Sequence, residues 1–174
     1  LTILAIQMFL RVYSGASAYR KEREILAQRL LDQLKGNAGE GWVWLEDIVA
    51  YANGHIPHAL IEAGQWIPNA EMVDWGLRSL DWLVQIQTSE RGYFVPIGNE
   101  GWYPRQGTKA RFDQQPLEAQ VMLEAALAAL RATRDRKWAA VAQRCFDWFL
   151  GANDLGIPVY DPATGGCYDG LHAD

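Results

Sequence analysis

Carboxylates stand beside aromatic residues in three long segments that the sequence predicts to be loops. The segments span residues 36–52, 88–112 and 151–170, and all three are rich in glycine and aromatic side chains. Flat aromatic faces can stack on the apolar side of a pyranose ring, whereas carboxylates and amides bind its hydroxyl groups. This mixture of residue types therefore points to a carbohydrate ligand.

Glycosidic-bond chemistry needs two carboxyl groups, one protonated as general acid and one ionised as base or nucleophile. The loops and the helix starts that follow them supply six candidates: Glu46, Asp47, Asp113, Glu118, Asp161 and Asp169. For a hydrolytic domain we expect Asp113 to act as the base and Glu118 or Glu46 as the acid. Asp47, adjacent to Glu46, is the remaining catalytic candidate.

Each of these acidic residues also has a structural interpretation. Asp113 stands where a helix N-cap belongs, so capping alone would explain its position. Glu118 lies one turn into a buried helix, where it is either used in chemistry or paired to a residue such as Arg111. Glu46 and Asp47 could form an exposed acidic pair. The sequence leaves these alternatives open.

Aromatic and amide side chains supply the predicted contacts to the sugar. Trp44, Tyr93 and Trp102 are expected to form an aromatic platform, although packing into a core is an equal alternative for the loop tryptophans. The complete predicted substrate-binding set is Trp42, Trp44, Asn53, Tyr93, Trp102, Gln114, Gln115 and Asp169. By contrast, Trp75, Trp82, Trp138 and Trp148 follow helical periodicity and are predicted to be core residues.

The sequence predicts neither a metal site nor a cofactor. His55, His58 and Glu62 share one face of a predicted helix, but no further strong ligand lies nearby in the sequence. Phosphate-binding glycine loops, nucleophile elbows and zinc-deaminase signatures are all missing from the sequence.

Helical periodicity organises the whole chain. An apolar helix followed by an amphipathic helix occurs three times, in hairpins at about residues 2–35, 53–88 and 113–150, with a period of roughly 50–60 residues. The first apolar segment, through Val12, reads as a helix buried on all sides. Alternating inner and outer helices are typical of a toroid, whereas solenoids of helix pairs have shorter repeats. We expect one all-α domain over residues 1–174.

Six such hairpins close a ring, and this chain supplies about three. The sequence is therefore interpreted as a fragment or half-ring that is completed by the remainder of a longer chain, by a second copy, or not at all. The net charge of −5 argues against a nucleic-acid partner. No apolar run reaches the ~18 residues of a membrane-spanning helix. We expect a soluble, cytoplasmic domain.

Three stretches resemble a known family. They are Trp44-Leu45-Glu46-Asp47 through Leu60, the block Phe112-Asp113-Gln114-Gln115-Pro116-Leu117-Glu118-Ala119, and Trp148 through Leu171. They are similar to a bacterial six-hairpin domain that accompanies glycosyltransferases and glycoside-active enzymes. The resemblance implies an (α/α)6 toroid, the architecture of many glycosidases, polysaccharide lyases and sugar 2-epimerases. Ala52 departs from the family pattern, which has Asp at that position.

The leading functional hypothesis is a carbohydrate-active domain that binds and processes an oligo- or polysaccharide through paired carboxylates. One alternative is a non-catalytic carbohydrate-binding domain attached to a glycosyltransferase. Another is a structural helical-repeat domain, which predicts that the loop tryptophans are buried or face a protein partner.

Overall fold

The computed structural model describes residues 1–173, which form six helices and one two-stranded antiparallel sheet. The prediction of a predominantly helical chain is confirmed. None of the helices in this range is long and apolar enough to cross a membrane. The elements are α1 (Thr2–Val12), α2 (Ser17–Asn37), β1 (Ile48–Val49), α3 (His55–Trp66), α4 (Ala70–Ile86), β2 (Tyr103–Pro104), α5 (Pro116–Thr133) and α6 (Lys137–Phe149).

The helices pack in two layers, with the odd-numbered helices in one layer and the even-numbered helices in the other. Within one layer α1 contacts α3, and α3 contacts α5, while α2, α4 and α6 each pack against the helix that precedes them in the chain. Helix α3 is central, because it also contacts α2 and α4. The helix pairs therefore fall at about 2–37, 55–86 and 116–149.

The helix boundaries follow from local chemistry. The side chain of Asn69 caps α4 by accepting a hydrogen bond of 3.0 Å from the backbone nitrogen of Met72. Helix α5 begins at Pro116, where the missing amide of proline costs nothing because the first helical amides have no intrahelical acceptor. The same helix ends at Thr133, and its C-cap residue Arg134 has a left-handed backbone with φ 61°.

Two groups of buried side chains hold the layers together. The first contains Trp42, Trp44, Trp82, Trp138 and Trp148 and joins the later helices to the loops. The second joins α1 and α2 to α3 and α4 and consists of Ile3, Ala27, Leu31, Leu34, Ala59, Leu60, Ala63 and Met72. Three of the four tryptophans that follow helical periodicity are buried, and Trp75 is half-buried beneath the guanidinium of Arg78.

Helix α1 is not buried on all sides, contrary to the sequence prediction. Met8 and Val12 are 69% and 74% exposed, and only Ile3, Gln7 and Leu10 are buried. The reason is positional, because α1 packs mainly against α2 and α3 and has no helix on its opposite side among residues 1–173. Periodicity therefore identified an apolar helix without showing how many neighbours cover it.

The close approach of α3 to α5 requires a glycine. A methyl group at Gly54 would overlap the carbonyl oxygen of Val121, which is backbone and cannot rotate away. We predict that Gly54→Ala lowers the free energy of unfolding by about 2–3 kcal/mol, because the two helices must separate. Denaturant unfolding followed by circular dichroism measures this loss.

A matched control lies in α2. A methyl group at Gly36 would meet no heavy atom within 4 Å, so Gly36→Ala should raise the free energy of unfolding by about 0.5–1 kcal/mol through helix propensity alone. Equal effects of the two substitutions would show that the approach of α3 to α5 is not tight.

Candidate functional site

The loops that precede α3 and α5 and the segment that follows α6 contact one another. Strand β1 of the first loop (residues 38–54) pairs with β2 of the second loop (87–115). Gln114 in the second loop forms a bridge with Leu171 in the C-terminal segment (150–173) through two backbone hydrogen bonds. These pairings bring together the three regions in which the sequence placed its candidate residues.

A cavity of about 280 Å³ opens where these regions meet, and we call it the loop cleft. The rings of Tyr51 and Tyr168 are largely exposed at its wall, and the carboxylate of Asp169 and the amide of Gln115 also line it. Trp102 packs edge-on against Tyr51, with ring centroids 6.0 Å apart. Of the predicted substrate-binding residues, Gln115, Trp102 and Asp169 are thus in or beside one cleft.

Gln115 has an unsatisfied acceptor in this cleft. Its side-chain oxygen is buried and has no hydrogen-bond partner among residues 1–173. A buried amide oxygen without a donor is unfavourable. A rotation of the Gln115 side chain, which lines the cleft, would let a ligand hydroxyl donate to this oxygen.

Asp113 lies beside the cleft. The Gln114–Leu171 pairing brings His172 close, and the histidine Nδ1 is 3.4 Å from Asp113 Oδ1. That oxygen is buried and accepts no hydrogen bond from any described residue. Capping does not explain the residue, because α5 has Gln115 as its N-cap. The Asp113 side chain as a whole is 14% exposed, and a carboxylate next to an imidazole is a candidate general base.

Glu118 is a structural residue and does not reach the cleft. Its carboxylate is completely buried and accepts hydrogen bonds from the backbone nitrogens of Ala52 and Asn53 and, at 3.0 Å, from the Asn53 side chain. Burial raises the pKa of Glu118, although these three donors act in the opposite direction. The expected roles of Glu118 as general acid and of Asn53 as a sugar contact are therefore corrected, as is the suggested pairing of Glu118 with Arg111.

Trp42 and Trp44 are core residues. Each is 3% exposed, and their indole N–H groups donate to the carbonyl oxygens of Glu46 and Ile48 at 2.9 and 3.1 Å. Both rings pack on Trp82. Neither ring offers a free face to a sugar, so the predicted platform loses these two members. A structural helical-repeat domain, the last alternative named for this chain, would also have its loop tryptophans buried.

Glu46 and Asp47 are exposed and do not line the loop cleft. Asp47 Oδ1 accepts a hydrogen bond of 3.1 Å from Arg105, next to β2 in the second loop. The pair therefore matches the exposed acidic interpretation, with Asp47 contributing to the contact between the first two loops.

Tyr93 lies in a different cavity. This cavity has a volume of about 620 Å³ and is lined by Ser89, Glu90, Arg91, Tyr93, Val95, Lys109, Arg111 and Asp154. The Tyr93 hydroxyl donates to Asp154 at 2.7 Å, and Gln114 Nε2 also donates to this carboxylate at 2.7 Å. Because Gln114 Oε1 accepts from Trp148 at 3.0 Å, the predicted sugar contact Gln114 is instead a buried structural bridge.

Asp154 is the residue that the sequence analysis missed. Its side chain is 3% exposed and also accepts two hydrogen bonds of 3.1 Å from Arg111. Burial alone would raise the pKa of Asp154, but its bonds from Arg111, Tyr93 and Gln114 together outweigh burial and hold that pKa below its ordinary value. The available signal was its place in the third loop, residues 151–170, where carboxylates stand beside aromatic residues.

Comparisons with known proteins assign no family. No protein-family model matches the chain, and no curated protein matches it. The candidate site therefore consists of what the geometry brings together: Tyr51, Asp113, Gln115, Tyr168 and Asp169.

The hydrogen bonds to Asp154 generate a stability prediction. Asp154→Asn replaces a carboxylate that accepts from three side chains by an amide, and should lower the free energy of unfolding by about 1–3 kcal/mol near neutral pH. Since the folded pKa is depressed, this contribution is fully present above the unfolded value of about 3.9 and is lost as the pH falls through the folded value. Unfolding curves from pH 7 to pH 3 measure it.

Asp74→Asn is the matched control. Asp74 is exposed and makes no side-chain hydrogen bond or ion pair with the part of the chain that the structure describes. A difference between wild type and Asp154→Asn that stayed constant down to pH 3 would contradict a depressed pKa for Asp154.

Proposed function

We propose that this chain is a carbohydrate-active domain that binds an oligo- or polysaccharide in the loop cleft. The observation that carries the proposal is the set of exposed Tyr51 and Tyr168 rings beside the Gln115 amide and the Asp169 carboxylate. Aromatic faces stack on the apolar side of a sugar ring, and the amide and carboxylate accept its hydroxyl hydrogens. The cleft is slightly smaller than typical small-molecule pockets of about 300–1,000 Å³, which favours recognition of a short part of a longer glycan.

The helix packing supports a toroid as the complete architecture. Contacts of α1 with α3 and of α3 with α5, each backed by an even-numbered helix, are the contacts that neighbouring hairpins of an (α/α)6 ring make. In this proposal the chain supplies three of six hairpins. The other three come from the remainder of a longer chain or from a second copy.

Glycosidic-bond cleavage is a second candidate activity, and the position of the Asp113 carboxylate beside the His172 imidazole favours it. In this mechanism Asp113 removes a proton from the attacking water while a protonated carboxyl group protonates the leaving oxygen. Glu118 is unsuitable as that acid, because three N–H donors bind it inside the protein. Asp169 is the remaining carboxyl group close to Asp113 in the cleft, since the Gln114–Leu171 pairing places its segment next to that of Asp113.

Calorimetric titration with manno-, gluco- and galacto-oligosaccharides tests the binding proposal. We predict saturable binding of one sugar class and a loss of affinity of about ten-fold in Tyr168→Ala, because the stacking face is removed. Tyr19→Ala is the matched control, since Tyr19 is 51% exposed but packs on Phe9, away from the cleft lining. If no sugar in the panel binds, the structural-repeat alternative replaces this proposal.

Product analysis with the sugar that binds tests the catalytic candidate. We predict that Asp113→Asn lowers turnover by about 10²–10⁴-fold while affinity for the sugar stays within a few-fold of wild type, because only proton transfer is lost. Glu46→Gln is the control that should keep full turnover. Binding without turnover in the wild type would identify a non-catalytic carbohydrate-binding domain, and full activity of Asp113→Asn would exclude this residue as the base.

A further inference from the structure

A third cavity, of about 420 Å³, lies between α1, α3 and α5 and is separate from the loop cleft. Its lining includes six charged or titratable side chains from these helices: Arg11, His55, His58, Glu62, Glu124 and Arg131. None of these six side chains lines the loop cleft, so the proposed carbohydrate site does not account for them.

Three of these side chains converge on one point. His55 and His58 are three residues apart in α3, so both imidazoles lie on the same side of that helix. Glu124 reaches them from α5. One ligand atom from each residue lies within 4.8 Å of the other two.

The two imidazoles are not satisfied by the protein. The Nδ1 atom of His55 and that of His58 are both buried and have no hydrogen-bond partner within residues 1–173. Buried nitrogens of this kind normally have a partner, so a missing one calls for an explanation.

The neighbouring charges distinguish Glu124 from Glu62. The sequence placed Glu62 on the same helix face as the two histidines. Its carboxylate forms ion pairs with Arg11 at 2.8 Å and with Arg131 at 3.2 Å. Its charge is therefore already compensated. Glu124 forms no ion pair with any residue in the described range, and its only side-chain partner there is the amide of Gln120. Glu124, which has no cation partner in the described range, is thus the carboxylate with an oxygen within 4.8 Å of a nitrogen of each imidazole.

We propose that His55, His58 and Glu124 bind a divalent transition-metal ion, with Zn²⁺ as the ion that two imidazoles and one carboxylate suit best. Ligand atoms around a tetrahedral Zn²⁺ are roughly 3.3 Å apart, so side-chain rotations that move them by about 1 Å complete the geometry. Three protein ligands leave one position of a tetrahedral ion for water. The ion joins α3 to α5 and is independent of the sugar-binding proposal.

Titration of the metal-free chain with ZnCl2, followed by calorimetry, tests this site. We expect one ion per chain, a higher melting temperature in its presence, and the visible absorption of tetrahedral Co²⁺ when CoCl2 is used instead. His58→Ala and Glu124→Gln should each weaken affinity ten-fold or more, because each removes a ligand.

His172→Ala is the matched control, since His172 is the only other histidine and lies in the C-terminal segment. It should bind Zn²⁺ with the affinity of the wild type. Glu124→Gln is nearly isosteric, so it provides a folded variant even if His58→Ala does not fold, and circular dichroism verifies both. Absence of binding at about 100 µM Zn²⁺, unchanged affinity in Glu124→Gln, or an equal loss in His172→Ala would each overturn the proposal.

Discussion

The buried carboxylate of Glu118 holds the loop end of the molecule together. It reaches from the first turn of α5 to the residues immediately before α3, where it accepts from two backbone amides and the side chain of Asn53. Ala52, one of these donors, has φ 53°, a left-handed backbone that costs about 1–2 kcal/mol in a residue with a Cβ atom. A fully buried carboxylate is unfavourable unless several donors surround it. The strained loop and the buried charge therefore stabilise each other, and α3 starts where both requirements are met.

A second buried polar group fixes the C-terminal segment in the same way. Gln114 accepts from Trp148 of α6 and donates to Asp154, so the α6 end and the start of α5 share one side chain. Its backbone pairs with Leu171 in addition. Gln114 and Glu118 are thus internal supports, whereas Asp113 Oδ1 and Gln115 Oε1 are buried without a donor among the described residues. Residues 113–118 therefore contain both the side chains that hold the loops together and the two polar side chains assigned to the candidate site.

The sequence predicted the helix pairs because apolar residues at helical spacing must face a neighbouring element. It could not predict how many neighbours cover a helix, as the exposed side of α1 shows, or how loops fold back on helices, and the errors at the candidate site are of the second kind. Trp42 and Trp44 belong to a glycine-rich loop, but their rings complete the core under Trp82. Glu118 was expected either to act as the general acid or to pair with a residue such as Arg111, and instead it accepts from the backbone amides of Ala52 and Asn53, which carry no signal in the sequence. Asp154 was missed for the same reason, since its donors come from residues 40 to 61 positions away.

The odd-numbered helices also differ from an ordinary helical core in the charges they carry. Burial of Glu62 is tolerated because guanidinium groups from α1 and α5 both reach it, so this one carboxylate ties three helices together. Glu124 lies in the same cavity without a cation, beside two imidazoles whose buried nitrogens lack partners. Buried imidazole nitrogens without a hydrogen-bond partner are uncommon in proteins, because their desolvation is otherwise uncompensated. A cation held between these imidazoles and Glu124 would supply the missing partner and would link α3 to α5 at the same point.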